Sequence, residues 1–185
     1  MERIERQRFF AHLFSAMSRL TSHFQDFDIK PWLGSLFFLP ICLYFVLNRG
    51  DYTFMDSIDL IIHESGHFFF RFFGRFMMFL GGTLMQIITP GILIFYFFIN
   101  DYRFGVQVSL FWLGHNLINI SVYAADARAR RLPLLGGDAV EHDWWTMLGM
   151  LDLLAYDQVI GYAFYISAIL VFVLLLAMPR IMPYS

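Results

Sequence analysis

Five apolar runs dominate the chain, at roughly 33–48, 57–73, 76–99, 105–124 and 158–178. Each is close to the ~17–25 residues that a helix needs to cross a bilayer. Charged and turn-forming residues separate them: Asn48-Arg49-Gly50-Asp51, Phe73-Gly74-Arg75, Asn100-Asp101-Tyr102-Arg103, and a long polar stretch from Asp126 to Asp143. Backbone N–H and C=O groups find no water in lipid, so such runs become helices. The expected fold is therefore an all-α integral membrane protein of about five transmembrane helices. Composition agrees, since 58% of the 185 residues are hydrophobic, against ~45–50% in soluble domains.

Before the first run, Phe10, Leu13, Phe14, Met17, Leu20 and Phe24 recur at helical spacing, with Arg, His and Ser opposite them. That pattern predicts an amphipathic helix lying in the membrane interface over residues 1–30, followed by one membrane-embedded domain over 31–185. A second short helix near 144–155 is too short to cross and is expected in the interface. The formal charge of -2, with basic residues spread along the chain, argues against a nucleic-acid partner. The single cysteine, Cys42, excludes an internal disulfide.

Basic residues collect on the cytoplasmic side of membrane proteins. With five alternating spans and the N-terminus inside, Arg3, Arg6, Arg8, Arg19, Lys30, Arg71, Arg75, Arg128, Arg130 and Arg131 fall inside, and Arg49, Arg103 and Arg180 fall outside. A cytoplasmic N-terminus, an external C-terminus and a multi-pass protein of a bacterial inner membrane are the expectations.

The second run carries His63-Glu64-Ser65-Gly66-His67. Histidines four residues apart share one helix face and can bind one metal ion, and a Glu after the first can act as general base. Zinc is the expected metal, with His63 and His67 as ligands and Glu64 as the catalytic acid or base. Ionisable residues within a span are costly, which favours a functional reading of the three. Asp59, one turn before His63, fits either a partner for that imidazole or a residue of the helix's first turn.

His63-Glu-Ser-Gly-His67-Phe, then Phe73-Gly74, then Phe79-Leu80-Gly81-Gly82 resembles the active-site helix of the site-2-protease family of zinc intramembrane metallopeptidases. The resemblance covers about residues 63–82. It implies zinc ligation by His63 and His67, acid–base work by Glu64, and hydrolysis of peptide bonds within or near the bilayer, in transmembrane or membrane-associated protein substrates. The family's Leu-Asp-Gly segment, whose Asp completes the zinc site, is absent from this chain.

A catalytic zinc takes three protein ligands, so a third is needed. His142 is the preferred candidate, with the adjacent Asp143 as its orienting partner or as the ligand itself. Asp126, near the inner end of the fourth run, and His115, deeper within it, are the others. Asp126 has an alternative ion-pair partner in Arg130, and His115 can instead form a polar packing face with Asn116 and Asn119. Gln86 in the third run reads as a bond to a neighbouring helix or as a contact for substrate backbone. The same donors would also serve a zinc hydrolase of lipid amides or esters. A non-catalytic membrane scaffold or metal-binding protein is the reading from another class.

Overall fold

The computed structural model of the protein describes residues 28–133, 135 and 140–183. The amphipathic helix expected from Phe10 to Phe24 lies outside them. The chain divides at Gly34 into two units. In the first, a 3-10 turn spans Lys30–Trp32, and the Asp28 carboxylate accepts the Lys30 N–H at 3.0 Å.

Six α-helices follow: α1 (Leu33–Leu47), α2 (Phe54–Phe70), α3 (Arg75–Ile99), α4 (Arg103–Ala125), α5 (Asp143–Met150) and α6 (Asp157–Ile181). No strand occurs among the described residues. Three helical stretches, Lys30–Leu47, Arg75–Ile99 and Leu154–Ile181, are long and apolar enough to cross a membrane. The runs expected at 57–73 and 105–124 are helical as α2 and α4, but both are rich in polar residues. Asp56, Asp59, His63, Glu64 and His67 interrupt one, and Gln107, Ser109, His115, Asn116 and Asn119 the other.

The interior holds polar and charged groups beside its apolar clusters, and the surface is largely apolar. Asp59 and Asn116 are 0% exposed, while Ile92, Phe95 and Leu170 are 61–64% exposed. An interior that holds the polar groups and a surface that shows aliphatic and aromatic ones suit a lipid solvent. This is a membrane protein.

The helix directions correct the expected alternation. Five alternating spans would set α1 antiparallel to α4 and parallel to α6. Instead, Ser35 near the start of α1 meets Gln107 and Leu176, while Arg49 just past its end bonds Ser121. Tyr165 bonds the Val46 carbonyl at 2.8 Å. So α1 runs parallel to α4 and antiparallel to α6. The start of α1 therefore shares an end of the bundle with the end of α6, rather than lying opposite it.

The physical reason lies in α2. In the first turn of that helix Asp56 bonds Asn119 of α4, and in its last turn His67 bonds the Met78 carbonyl of α3. Both contacts fall in the half of the bundle that holds Arg75 and Ala125. Both ends of the polar α2 thus lie within one half of the bundle, and the chain turns back through α3, α4 and α6. Arg49 anchors the link into α2, donating to the Ser121 hydroxyl and carbonyl at 3.0 Å each and lying over the rings of Tyr162 and Tyr165.

Each boundary of α2 has a local cause. At its start, the Asp56 carboxylate reaches back to accept the Thr53 N–H at 2.7 Å, which satisfies a free donor at the helix N-terminus. At its end, a 3-10 turn over Arg71–Phe73 leads into Gly74, whose φ of 95° a side chain would disfavour. The chain there reverses into α3. α2 and α3 then cross at glycines: a Cβ on Gly66 would overlap the Gly81 carbonyl oxygen, and one on Gly81 would meet the Gly66 carbonyl at 2.6 Å. Small residues let helix backbones approach this closely in membranes.

Candidate metal centre

That close crossing presses α2 against α3 where its histidines lie. The ring of His63 sits over Gly82, 2.5 Å from where a Cβ would stand, so only glycine leaves room for the imidazole. Gly82→Ala is expected to displace that ring and weaken metal binding on the order of 10–100-fold, the scale on which misplacing a ligand's support is felt. Overpacking of this kind also costs about 1–3 kcal/mol of stability. Metal titration together with a thermal unfolding scan checks both, and unchanged metal affinity would contradict the packing account.

Helical spacing sets His63 and His67 one turn apart, their ring centroids separated by 4.8 Å. The third member arrives from outside the long helices. Asp143, the first residue of α5, places its Oδ2 2.8 Å from His63 Nε2 and 3.3 Å from His67 Nε2. One ligand atom from each of the three lies within 4.8 Å of the others, and the group can hold a metal ion. Bonds of ~2.0 Å in tetrahedral array separate ligand atoms by ~3.3 Å, so the observed spacing needs only small adjustment.

The far side of each ring is also tied. His67 Nδ1 lies 2.8 Å from the Met78 carbonyl oxygen. A carbonyl only accepts, so Nδ1 carries a proton, and Nε2, the nitrogen that faces Asp143, is the one left to bind a metal in place of a proton. His63 Nδ1 lies 3.0 Å from Gln86 Oε1. Tyr123 completes the surround, its hydroxyl 3.3 Å from Asp143 Oδ2 and accepting the Asp143 N–H at 3.1 Å.

Asp143 is buried, which by itself raises a carboxyl's pKa. The hydrogen bonds and charge of His63 and His67 outweigh that and hold it below the ordinary carboxylate range. It is therefore ionised at neutral pH, as a metal ligand must be.

A cavity of about 330 Å³ opens onto this group. Leu60, Phe79, Val122, Leu132, Pro133 and Val140 give it an apolar wall, and Glu64 lines it beside the histidines. Glu64 is exposed, and its carboxylate makes no hydrogen bond among the described residues. It is free to exchange a proton with a molecule held there.

The remaining expected residues fall elsewhere. His142, the preferred third ligand, turns away from the pair: its Nδ1 accepts the Trp145 N–H at 3.3 Å as the N-cap of α5, and its Nε2 faces Asp126 at 3.5 Å. Burial holds this imidazole below its ordinary pKa against the pull of the Asp126 and Asp143 carboxylates, so it stays neutral. The structure thus brings Asp143, the alternative within the same pair, to the histidines. Asp126 accepts backbone N–H bonds from Arg131 and Leu132 at 2.9–3.0 Å and does not pair with Arg130, whose guanidinium lies over Trp145. His115 Nδ1 bonds Asp59 at 2.6 Å, and Trp112 donates to the other Asp59 oxygen at 2.8 Å. Asp59 therefore serves His115 rather than His63.

Tyr123 is the residue that sequence reading passed over. Trp112, His115, Asn116, Asn119 and Tyr123 repeat at helical spacing along α4. That stripe extends the polar face already visible at His115 and Asn119, and it was the available signal.

Fold and site together define a helical membrane protein with a His-His-Asp group, half-buried at His67 and buried at His63 and Asp143, able to hold a metal ion. Comparison of the chain with protein-family models, with curated proteins and with solved structures finds no match.

Proposed function

We propose that this chain is a zinc-dependent peptidase embedded in the membrane, similar to the site-2-protease family, that hydrolyses peptide bonds of transmembrane or membrane-associated proteins. The observation that carries the reading is the convergence of His63 Nε2, His67 Nε2 and the Asp143 carboxylate on one point at a cavity that Glu64 also lines. Two imidazoles and a carboxylate are ligands that zinc accepts in a catalytic site, with a fourth position left for water. Asp143 takes the part of the Asp that the family draws from a later span.

Zinc in such a site acidifies water and polarises a carbonyl oxygen. Glu64 takes a proton from the attacking water and returns it to the departing amine, so that hydroxide is added to the carbonyl carbon and a proton to the nitrogen as the C–N bond breaks. His67 and His63 are held in one orientation by Met78 and Gln86. The apolar cavity wall suits a substrate segment arriving from lipid, while the polar residues that also line it, Asp51 and Glu141, suit the entry of water.

The basic residues fit this arrangement. Arg71, Arg75, Arg128, Arg130 and Arg131 lie at the end of the bundle nearest the site, and Arg103 and Arg180 at the other. By the positive-inside rule the site faces the cytoplasmic half of the bilayer. On this reading α4 also crosses the membrane, so that α1, α3, α4 and α6 make four crossings, with α2 held inside.

The test is a cleavage assay of detergent-purified, zinc-loaded protein on a helical transmembrane peptide and, separately, on lipid amides and esters. New peptide termini released only by protein with Glu64 intact support the proposal. Turnover of lipid alone would move the assignment to a lipid hydrolase.

A further inference from the structure

The tautomer of His63 is not set by a backbone carbonyl, as that of His67 is. It depends on Gln86, a primary amide that could present either its oxygen or its nitrogen. Gln86 Nε2 donates to Asn119 Oδ1 at 3.0 Å, and Asn119 Nδ2 donates to Asp56 Oδ1 at 3.0 Å. The other Asp56 oxygen accepts from the Thr53 N–H and the Thr53 hydroxyl, each at 2.7 Å. His115 Nε2 lies 3.9 Å from that same oxygen, beyond hydrogen-bonding distance.

We infer that Asp56, through Asn119 and Gln86, fixes the protonation side of His63 and so keeps its Nε2 lone pair available to the metal. The direction of the chain follows from one end. A backbone N–H can only donate and a carboxylate oxygen accepts, so Asn119 must turn its NH₂ toward Asp56. Its oxygen then faces Gln86, whose NH₂ turns to meet it. The Gln86 oxygen is left facing His63 Nδ1, which must carry the proton. Four residues from α2, α3 and α4 thus form one oriented line of hydrogen bonds. Gln86 is 1% exposed and Asp56 8% exposed, and no competing water is needed to complete the line. Asp56 therefore serves two purposes: it caps the metal-bearing helix and acts as a positioning residue for His63, seven residues further along it.

The inference rests on the metal reading above, and its test separates the two. Zinc affinity is measured by chelator competition on purified wild-type protein, Asp56→Asn, the double exchange Asp56→Asn with Asn119→Asp, and Gln86→Leu, with helicity by circular dichroism in each. Asp56→Asn presents an NH₂ where Asn119 needs an acceptor, which turns both amides and places a donor against His63 Nδ1. A 10–100-fold weaker zinc affinity is expected. The double exchange restores the original direction, because the new carboxylate at 119 accepts from both neighbours, and it recovers most of the affinity. Gln86→Leu leaves every charge in place yet loses affinity on the same scale, which an account based on the Asp56 charge alone would not produce. Wild-type affinity in Asp56→Asn or in Gln86→Leu would overturn the inference, as would a double exchange no better than Asp56→Asn. Failure of the wild type itself to bind zinc would instead remove the metal reading on which it stands.

Discussion

Glu64→Gln is expected to leave the metal bound and to slow peptide cleavage by at least ~10²–10⁴-fold, the range that a positioned acid or base supplies. The substitution preserves size and shape, so the fold and the ligand group have no cause to change. What it removes is proton exchange: an amide cannot take a proton from water or deliver one to an amine. Glu64 is placed for this role by its position beside the ligand histidines. It follows His63 on α2, lines the cavity, and makes no protein hydrogen bond among the described residues, whereas Asp56, Asp59, Asp126 and Asp143 are all engaged. Single-turnover cleavage and metal content, measured on the same preparation, give the result. Wild-type cleavage by the Gln variant would assign the proton transfer elsewhere.

Asp143→Ala and His142→Ala are expected to diverge, although the residues are adjacent. Loss of Asp143 removes one of the three converging ligand atoms and should weaken zinc binding by more than the ~10–100-fold that loss of an outer partner costs. Loss of His142 removes an N-cap and a ring packed 4.3 Å from Tyr123, which loosens α5 and lowers affinity only within that smaller range. Chelator competition on the two variants ranks them. If His142→Ala lost the metal and Asp143→Ala kept it, the ligand group described here would be wrong.

Much of the fold was legible because lipid imposes simple rules. Helix content, the three most apolar stretches and the interruption of α2 by ionisable residues all follow from the pattern of apolar runs. The direction of α1 was not legible. Alternation assumes that every run crosses, and hydropathy does not reveal that both ends of α2, which carries Asp56, Asp59, His63, Glu64 and His67, are held in one half of the bundle by Asn119 and Met78. The crossing of α2 and α3 was signalled by Gly66, Gly81 and Gly82, although only the structure shows that Gly82 makes room for the His63 ring.

The site was legible in the same uneven way. His63 and His67 are set by helical spacing, a local property. The third member depends on how the start of α5 packs against α4, and the adjacent residues His142 and Asp143 point in different directions. Nothing in Glu141-His142-Asp143 says which side chain turns inward, because Tyr123 and Asp126, both far away in sequence, decide it. The pairing of Asp59 with His115 and Trp112 was hidden for the same reason.

Whether His63, His67 and Asp143 together hold a metal is read from the metal content of the purified protein. Wild-type protein prepared in detergent with zinc present and then freed of loosely bound ions should retain about one zinc per chain by mass spectrometry, and a variant lacking both histidines should retain none. Wild-type protein that retains no metal, or a double-histidine variant that retains as much as the wild type, would contradict this ligand group.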